Sequence, residues 1–496
     1  MPLSAFTLTR RARRRHGVRR ERRVRRTWRL LARPALGLAL GLALVLLAPA
    51  SPTGALSVYG QVSPLAGAGG CLREPSAESD ADAACPGAAQ GLTGAQALAV
   101  SPDGRDVYVA GEGGVVALAR ARATGALRPA LSPSARACLS ASFASTCASK
   151  DPVLSGADAL AVSRDGRFVY VGSSNSASVS AFARERDGAL VPLGEYLGNG
   201  YYGCVAGRAL AGSPRARCAG RAPALSGVAA LAISPDGRFL YAVSYGLAPG
   251  GDSVVTLQRD TASGALRALP GTRGCVQSRP GRECRAVAGL EGASAIAISG
   301  DGRFVYVASA VSGAVRGFVR NPLTGALTPL FGRGDCVSSG ELADDDVPCT
   351  VRVPQLAGAR ALALSPDGRE LYVAAFDPGA VVALARNPAS GRLRPLASGC
   401  LQALADAQCP TGVPLVRGAA ALAIGPGGEA VYVACEGANS LLALARDARD
   451  GKLTLPAANA SVPAPLGGPT ALALSPGGGS IYVASPFDGG VAAFTG

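Results

Sequence analysis

Histidine, tryptophan and methionine are almost missing from this chain of 496 residues, which holds one of each. His16, Trp28 and Met1 all fall near the N-terminus, so a chain that starts at Ser51 has none of the three. Such a chain has no imidazole to act as base or metal ligand, no indole platform for a sugar and no thioether ligand. Histidine-dependent triads and histidine-bearing zinc or haem centres are thereby excluded. Long apolar runs are also lacking. The longest, Ala35 to Ala48, is short for a membrane span and normal for the apolar part of a signal peptide. No P-loop, dinucleotide fingerprint or nucleophile elbow occurs in a fitting context.

The formal net charge is +15, but thirteen arginines and one glutamate among residues 1–33 account for +12 of it, leaving +3 for the rest. A basic excess confined to one end is not the footprint of a nucleic-acid-binding domain, so no nucleic-acid partner is expected. The basic stretch followed by the apolar run reads as an export segment over 1–50, with cleavage after Ala50. The alternative is an uncleaved anchor, which would be the protein's one contact with the membrane. The Ala- and Arg-rich composition suggests a bacterium with a GC-rich genome.

Residues 51–496 repeat one phrase. SPDGRDVYVA at Ser101 returns as SRDGRFVYVG at Ser163, SPDGRFLYAV at Ser234, SGDGRFVYVA at Ser299 and SPDGRELYVA at Ser365. Weaker copies are GPGGEAVYVA at Gly425 and SPGGGSIYVA at Ser475. Each copy follows an apolar run, and Asp-Gly between two apolar β runs is a hairpin signal. A third strand ending in Arg and a TGAL-like turn into a short fourth strand complete the unit. Four strands repeated seven times predict an all-β, seven-bladed propeller. The C-terminal VAAFTG reads as the third strand of the last unit. Its fourth strand is expected from the N-terminal TGALSVYGQVSPL, Thr53 to Leu65, with TGAL aligned on Thr124–Leu127. That strand would close the ring. It also argues against cleavage after Ala55.

The phrase SPDGR…YVA, the arginine at the end of the third strand and TGAL resemble the bacterial lactonase-like β-propellers. That family includes the propeller-type 6-phosphogluconolactonases and is close to the YVTN-repeat propellers. The resemblance covers residues 53–496 and implies the propeller fold. It also implies a site of polar residues, histidine among them, on one propeller face. No histidine lies in 53–496, so no catalytic residue is carried over.

Twelve cysteines fall in pairs between blades: Cys71 and Cys85, Cys138 and Cys147, Cys204 and Cys218, Cys275 and Cys284, Cys336 and Cys349, Cys400 and Cys409. In an exported chain this pattern reads as local disulfides. Zinc is the competing reading, but it needs converging ligands, and these pairs stand one per connection with no histidine. Cys435 is left over. It reads as a small buried residue, and as a nucleophile it would have to rely on Glu436 as base.

Strand parity puts the PDGR and TGAL turns on one face. The turns between second and third strands, together with the cysteine loops, fall on the other. The first face repeats and the second varies, and variable loops on a rigid scaffold are where ligands bind. The candidates there are Glu112, Asn175, Tyr245, Asp252, Phe376, Asp377, Glu436, Asn439, Phe487 and Asp488. No cofactor is expected. Ca²⁺ is the one ion to consider, at Glu78–Asp82 or Asp344–Asp346, though neither has the EF-hand spacing. The functional expectation is an exported, monomeric binding or scaffold module for a macromolecule or cell-envelope ligand. The alternative is a lactonase-like hydrolase that uses carboxylate, arginine or metal in place of histidine.

Overall fold

The computed structural model describes residues 62–75, 85–130, 137–141, 147, 149–196, 202–207, 218–246, 252–331, 334–340, 349–456, 461–463 and 467–496. The expected export segment and both acidic loops considered for Ca²⁺ lie outside these residues.

Seven sheets are present, one per repeat, each antiparallel through its first four strands. Blade 1 runs through Ala97–Val100, Asp106–Gly111 and Gly114–Arg120, and blade 7 through Ala471–Leu474, Ile481–Ser485 and Gly490–Thr495. The first strand of each blade touches the first strand of the next, and that of blade 7 touches that of blade 1, so the ring is closed. These inner strands spell Ala-Leu/Ile-Ala followed by an aliphatic residue in every blade, from Ala97–Val100 to Ala471–Leu474. Small side chains alternate with larger ones because seven strands converge on one axis.

The N-terminus does supply the outer strand of blade 7, but in a different register from the one expected. Ser63 and Pro64 pair with Thr495 and Phe494, as Arg128 and Pro129 pair with Ala119 and Leu118 in blade 1. Val62 therefore matches Leu127, and residues 53–61, on which the expectation about cleavage after Ala55 rests, lie outside the described residues. Cys71–Arg73 then continues along the same strand.

All six cysteine pairs are disulfides. They lie in the connections between blades, as expected, and enter those connections part-way along the sheet. Cys138 pairs with Val116, and Val116 with Val109, which is mid-strand in blade 1. Five of the cystines clamp a short fifth strand that runs parallel to the fourth, as Ser149–Lys150 does beside Cys138–Ser140. They therefore brace the outer edge at mid-height. Cys435 is buried and free, and burial pushes its thiol up to about 12, which makes it a packing residue.

On the PDGR face the repeated residues form a clasp between blades. In the turn, Ser101 Oγ donates to Asp103 and accepts from the Asp106 amide, while Gly104 takes φ +67°. A side chain at that φ would be strained. Each described motif tyrosine except Tyr432 donates to a glycine carbonyl of the following blade, as Tyr372 does to Gly451 at 2.7 Å. The following blade's arginine donates back to that tyrosine at 2.5 to 3.0 Å. It also reaches its own turn glycine, as Arg446 does Gly428. The residue after the turn completes the clasp in one of three ways, and at the junction of blades 7 and 1 it is Ser480, whose Oγ accepts from Arg120 at 2.9 Å. Phe168, Phe239 and Phe304 lie under Arg259, Arg320 and Arg386 at 5.1 to 5.3 Å. Asp106 and Glu370 instead pair with Arg184 and Arg446. At the junction of blades 6 and 7, Gly496 occupies the arginine's place.

Candidate functional site at the channel mouth

At the start of the inner strand the pairing slips by one residue in five of the seven blades. Blade 2 shows this as a bulge between Ala157 and Ala159, and the same irregularity recurs in blades 3 to 6. A bulge leaves its extra residue unpaired and re-aims its side chain. The residues at this position are Gln96, Asp158, Ala229, Ser294, Arg360, Ala420 and Thr470, one from each blade. All seven line one cavity of about 650 Å³, together with Tyr245, Val311, Phe376 and Asp377. The cavity is the mouth of the central channel on the face of the second-to-third-strand turns. Its size falls within the usual range for small-ligand sites.

Two of the seven ring residues are charged. Asp158 on blade 2 and Arg360 on blade 5 are three blades apart, the widest separation a seven-membered ring allows. Burial raises the pKa of Asp158. A hydrogen bond from Ser174 lowers it and the nearby Glu112 charge raises it, and the net direction is upward. Arg360 Nη1 donates to Glu436 Oε2 at 3.0 Å, and the guanidinium lies 4.8 Å from the centre of the Phe376 ring. These two contacts fix the cation in place. Ser294 Oγ donates to the Ala359 carbonyl at 2.8 Å. Thr470 Oγ1 is buried with no partner among the described residues. An anionic or strongly polarised group can sit against Arg360 while Asp158 accepts a proton from the opposite side.

Of the residues singled out from the sequence, Tyr245, Phe376 and Asp377 line this cavity, Glu436 holds Arg360 and Glu112 acts on Asp158. Three others serve the backbone. Asp252 and Asn439 take φ +52° and +49° and accept from the Gly292 and Gly468 amides, and Asp488 accepts from the Gly467 amide. Short polar side chains tolerate that left-handed geometry, which explains Asp and Asn at these turns. Asn175 and Phe487 stand on the same turns but do not line the cavity, and Phe487 is 72% exposed beside Gly468. The expected list omitted the bulge ring. Its signal was there to read, because the residue before Ala-Leu/Ile-Ala is the variable position in an otherwise constant strand. Among the described residues, no three His, Cys, Asp or Glu side chains are grouped to hold a metal ion.

The sequence profile of the family "Lactonase, 7-bladed beta-propeller" matches residues 212–335, 274–400 and 337–495, which together span more than half of the chain. No curated protein sequence matches significantly. Among solved structures, a proposed 6-phosphogluconolactonase from Bacteroides fragilis is 20% identical with a TM-score of 0.50, over 76% of this chain and 85% of that one. The periplasmic gluconolactonase of Pseudomonas aeruginosa is 24% identical with a TM-score of 0.49, over 76% and 86%. Hydrazine synthase of Kuenenia stuttgartiensis is 16% identical with a TM-score of 0.51, over 82% and 96%. At such identities the likeness is one of fold, and a single fold hosts different chemistries.

Proposed function

Because the chain belongs to the lactonase family of seven-bladed β-propellers, we propose that it binds a sugar-type lactone at the channel mouth and opens its ring. The observation that carries this reading is the bulge ring, whose two charged members, Asp158 and Arg360, face each other across one cavity. Ring opening needs a water made nucleophilic and positive charge where the carbonyl oxygen becomes an oxyanion. Asp158, its pKa raised by burial, takes the proton of the attacking water. Arg360, held by Glu436 and Phe376, stabilises the oxyanion. The ring C–O bond then breaks, the proton passes from Asp158 to the departing alkoxide, the new carboxylic acid gives its own proton to solvent, and its carboxylate is left beside Arg360. Ser294, Thr470 and Gln96 supply hydrogen-bonding groups suited to ligand hydroxyls.

The fixed state of Arg360 supports a second reading, in which the mouth clamps an anionic ligand without turnover and the propeller acts as a binding module. In either case the six cystines suit an oxidising compartment. With the basic and apolar N-terminal segment, they support a place outside the cytoplasm.

The test is a thermal-shift and turnover screen of aldonolactones, phosphorylated aldonolactones and envelope glycans. A dose-dependent shift by a lactone, with hydrolysis above the spontaneous rate, is the expected result. A shift without hydrolysis selects the second reading. No response to any small molecule removes both.

A further inference from the structure

A second cavity, of about 980 Å³, lies far from the channel mouth on the PDGR side of blade 5. Its walls come from three blades. Arg352 belongs to the fifth strand of blade 4. Arg369, Arg386, Arg392 and Arg394 belong to blade 5, and Arg449 to the turn after the third strand of blade 6. Against these six arginines stand Glu370 and Asp450. Glu370 is already spent on the clasp to Arg446, and Asp450 pairs with Lys452 at 3.0 Å. Five of the arginines, all but the clasp residue Arg386, are exposed. The cavity is open to solvent.

This concentration is local. Residues 51–496 carry only +3 in total, yet the walls of this one groove carry +4. Among the corresponding turns of the other blades only that of blade 1, with Arg122 and Arg128, has an excess of arginine, and the rest are balanced, neutral or acidic. Blade 2 has Glu185 and Asp187 beside Arg186, and blade 4 has NPLTGALT, Asn321 to Thr328, with no charge at all. Blade 5 has Asn387 at the turn and then Arg392 and Arg394. The cations are all arginine, whose planar fork matches carboxylate and phosphate groups two bonds at a time. Several forks along an open groove call for a ligand with repeated anions. No aromatic side chain lines it, so unstacked bases find no platform there.

We propose that this groove on blade 5 binds an acidic polysaccharide, gripping successive carboxylates along the chain. The site is separate from the channel mouth and does not depend on the lactone reading. It places the propeller on an anionic polymer while the opposite face works on its own ligand.

The test uses the full chain and polygalacturonate, with neutral dextran, polyphosphate and duplex DNA as comparators, at low and physiological salt. One variant removes three groove arginines, Arg352→Ser, Arg369→Ser and Arg394→Ser. A control removes three exposed arginines elsewhere, Arg122→Ser, Arg128→Ser and Arg267→Ser, with the same change in net charge. Thermal midpoints confirm that both fold. The expected result is polygalacturonate binding that salt weakens, lost at least tenfold in the groove variant and less than twofold in the control. Equal losses in both variants would assign the binding to overall charge or to the N-terminal arginines and overturn the proposal. Absence of binding, or tighter binding of duplex DNA or polyphosphate than of polygalacturonate, would overturn it as well.

Discussion

The two faces of the ring are built by opposite rules. On the PDGR face, blade after blade supplies the same serine, aspartate, tyrosine and arginine, and these residues bond to one another across each clasped junction. On the other face the inner strands begin at one equivalent position per blade, and there the residues are Gln, Asp, Ala, Ser, Arg, Ala and Thr. Repetition serves assembly, since every junction poses the same packing problem. Variation at a fixed geometric position serves recognition, since a ring of identical groups cannot orient an asymmetric ligand. The two faces should therefore respond differently to mutation, and the contrast can be broken or sharpened by experiment.

The largest loss of stability is expected at the clasp. Arg446 is buried against Glu370 and Asp367. Arg446→Ala strands the Glu370 carboxylate, and stability in urea should fall by about 3–5 kcal/mol. A loss below 1 kcal/mol would mean that the clasp follows from the packing of the blades and does not hold them. Next comes the ring closure. Cys71→Ser with Cys85→Ser opens a cystine with a sequence separation of 14, and should cost about 2–3 kcal/mol by the loop-entropy argument. The same measurement on the wild type with and without reductant checks the direction.

A smaller effect is expected in acid. Burial alone would raise the pKa of Asp103, but hydrogen bonds from Ser101, Arg184 and the Arg105 amide outweigh it and hold the group at about 2. A depressed acid contributes stability that is full above its ordinary value of 3.8 and is lost as pH falls through about 2. Asp103→Asn should remove that component from a pH titration of stability.

The smallest change in stability is expected at the channel mouth. Arg360 is partly exposed, and its pair with Glu436 is worth at most about 1 kcal/mol. Arg360→Ala should leave the thermal midpoint almost unmoved while abolishing ligand binding. The rate should also carry the signature of Asp158. A base with a raised pKa becomes active only as pH climbs past that value, so activity should rise with pH through a point above 3.8. Glu112→Gln should move that point downward, because the Glu112 charge helps to raise it. An unchanged profile would separate Glu112 from the site.

The fold was legible because it is written seven times. Turn chemistry and alternating apolar strands fix a blade, and repetition fixes the ring. The register of the closing strand was not, because two short segments, Thr53–Leu56 and the stretch leading into Val62–Pro64, compete for one role and only pairing with Phe494 decides between them. The cystines were legible as pairs but not as braces of a parallel fifth strand, since parallel pairing leaves no local turn signal. The site was half legible. Loop logic found Tyr245, Phe376, Asp377 and Glu436, which are polar and aromatic residues of variable turns. It passed over Asp158 and Arg360 because they lie inside a strand pattern that reads as core. A bulge is a matter of register, and register appears only when the strands are paired.

The most direct test of the account compares three chains, the wild type, Asp158→Asn and Arg360→Ala, for hydrolysis of glucono-1,5-lactone, with the thermal midpoint of each recorded alongside. The account predicts hydrolysis above the spontaneous rate in the wild type, the spontaneous rate in both variants, and three matching midpoints. Wild-type rates in the variants, or no acceleration by the wild type itself, would contradict it.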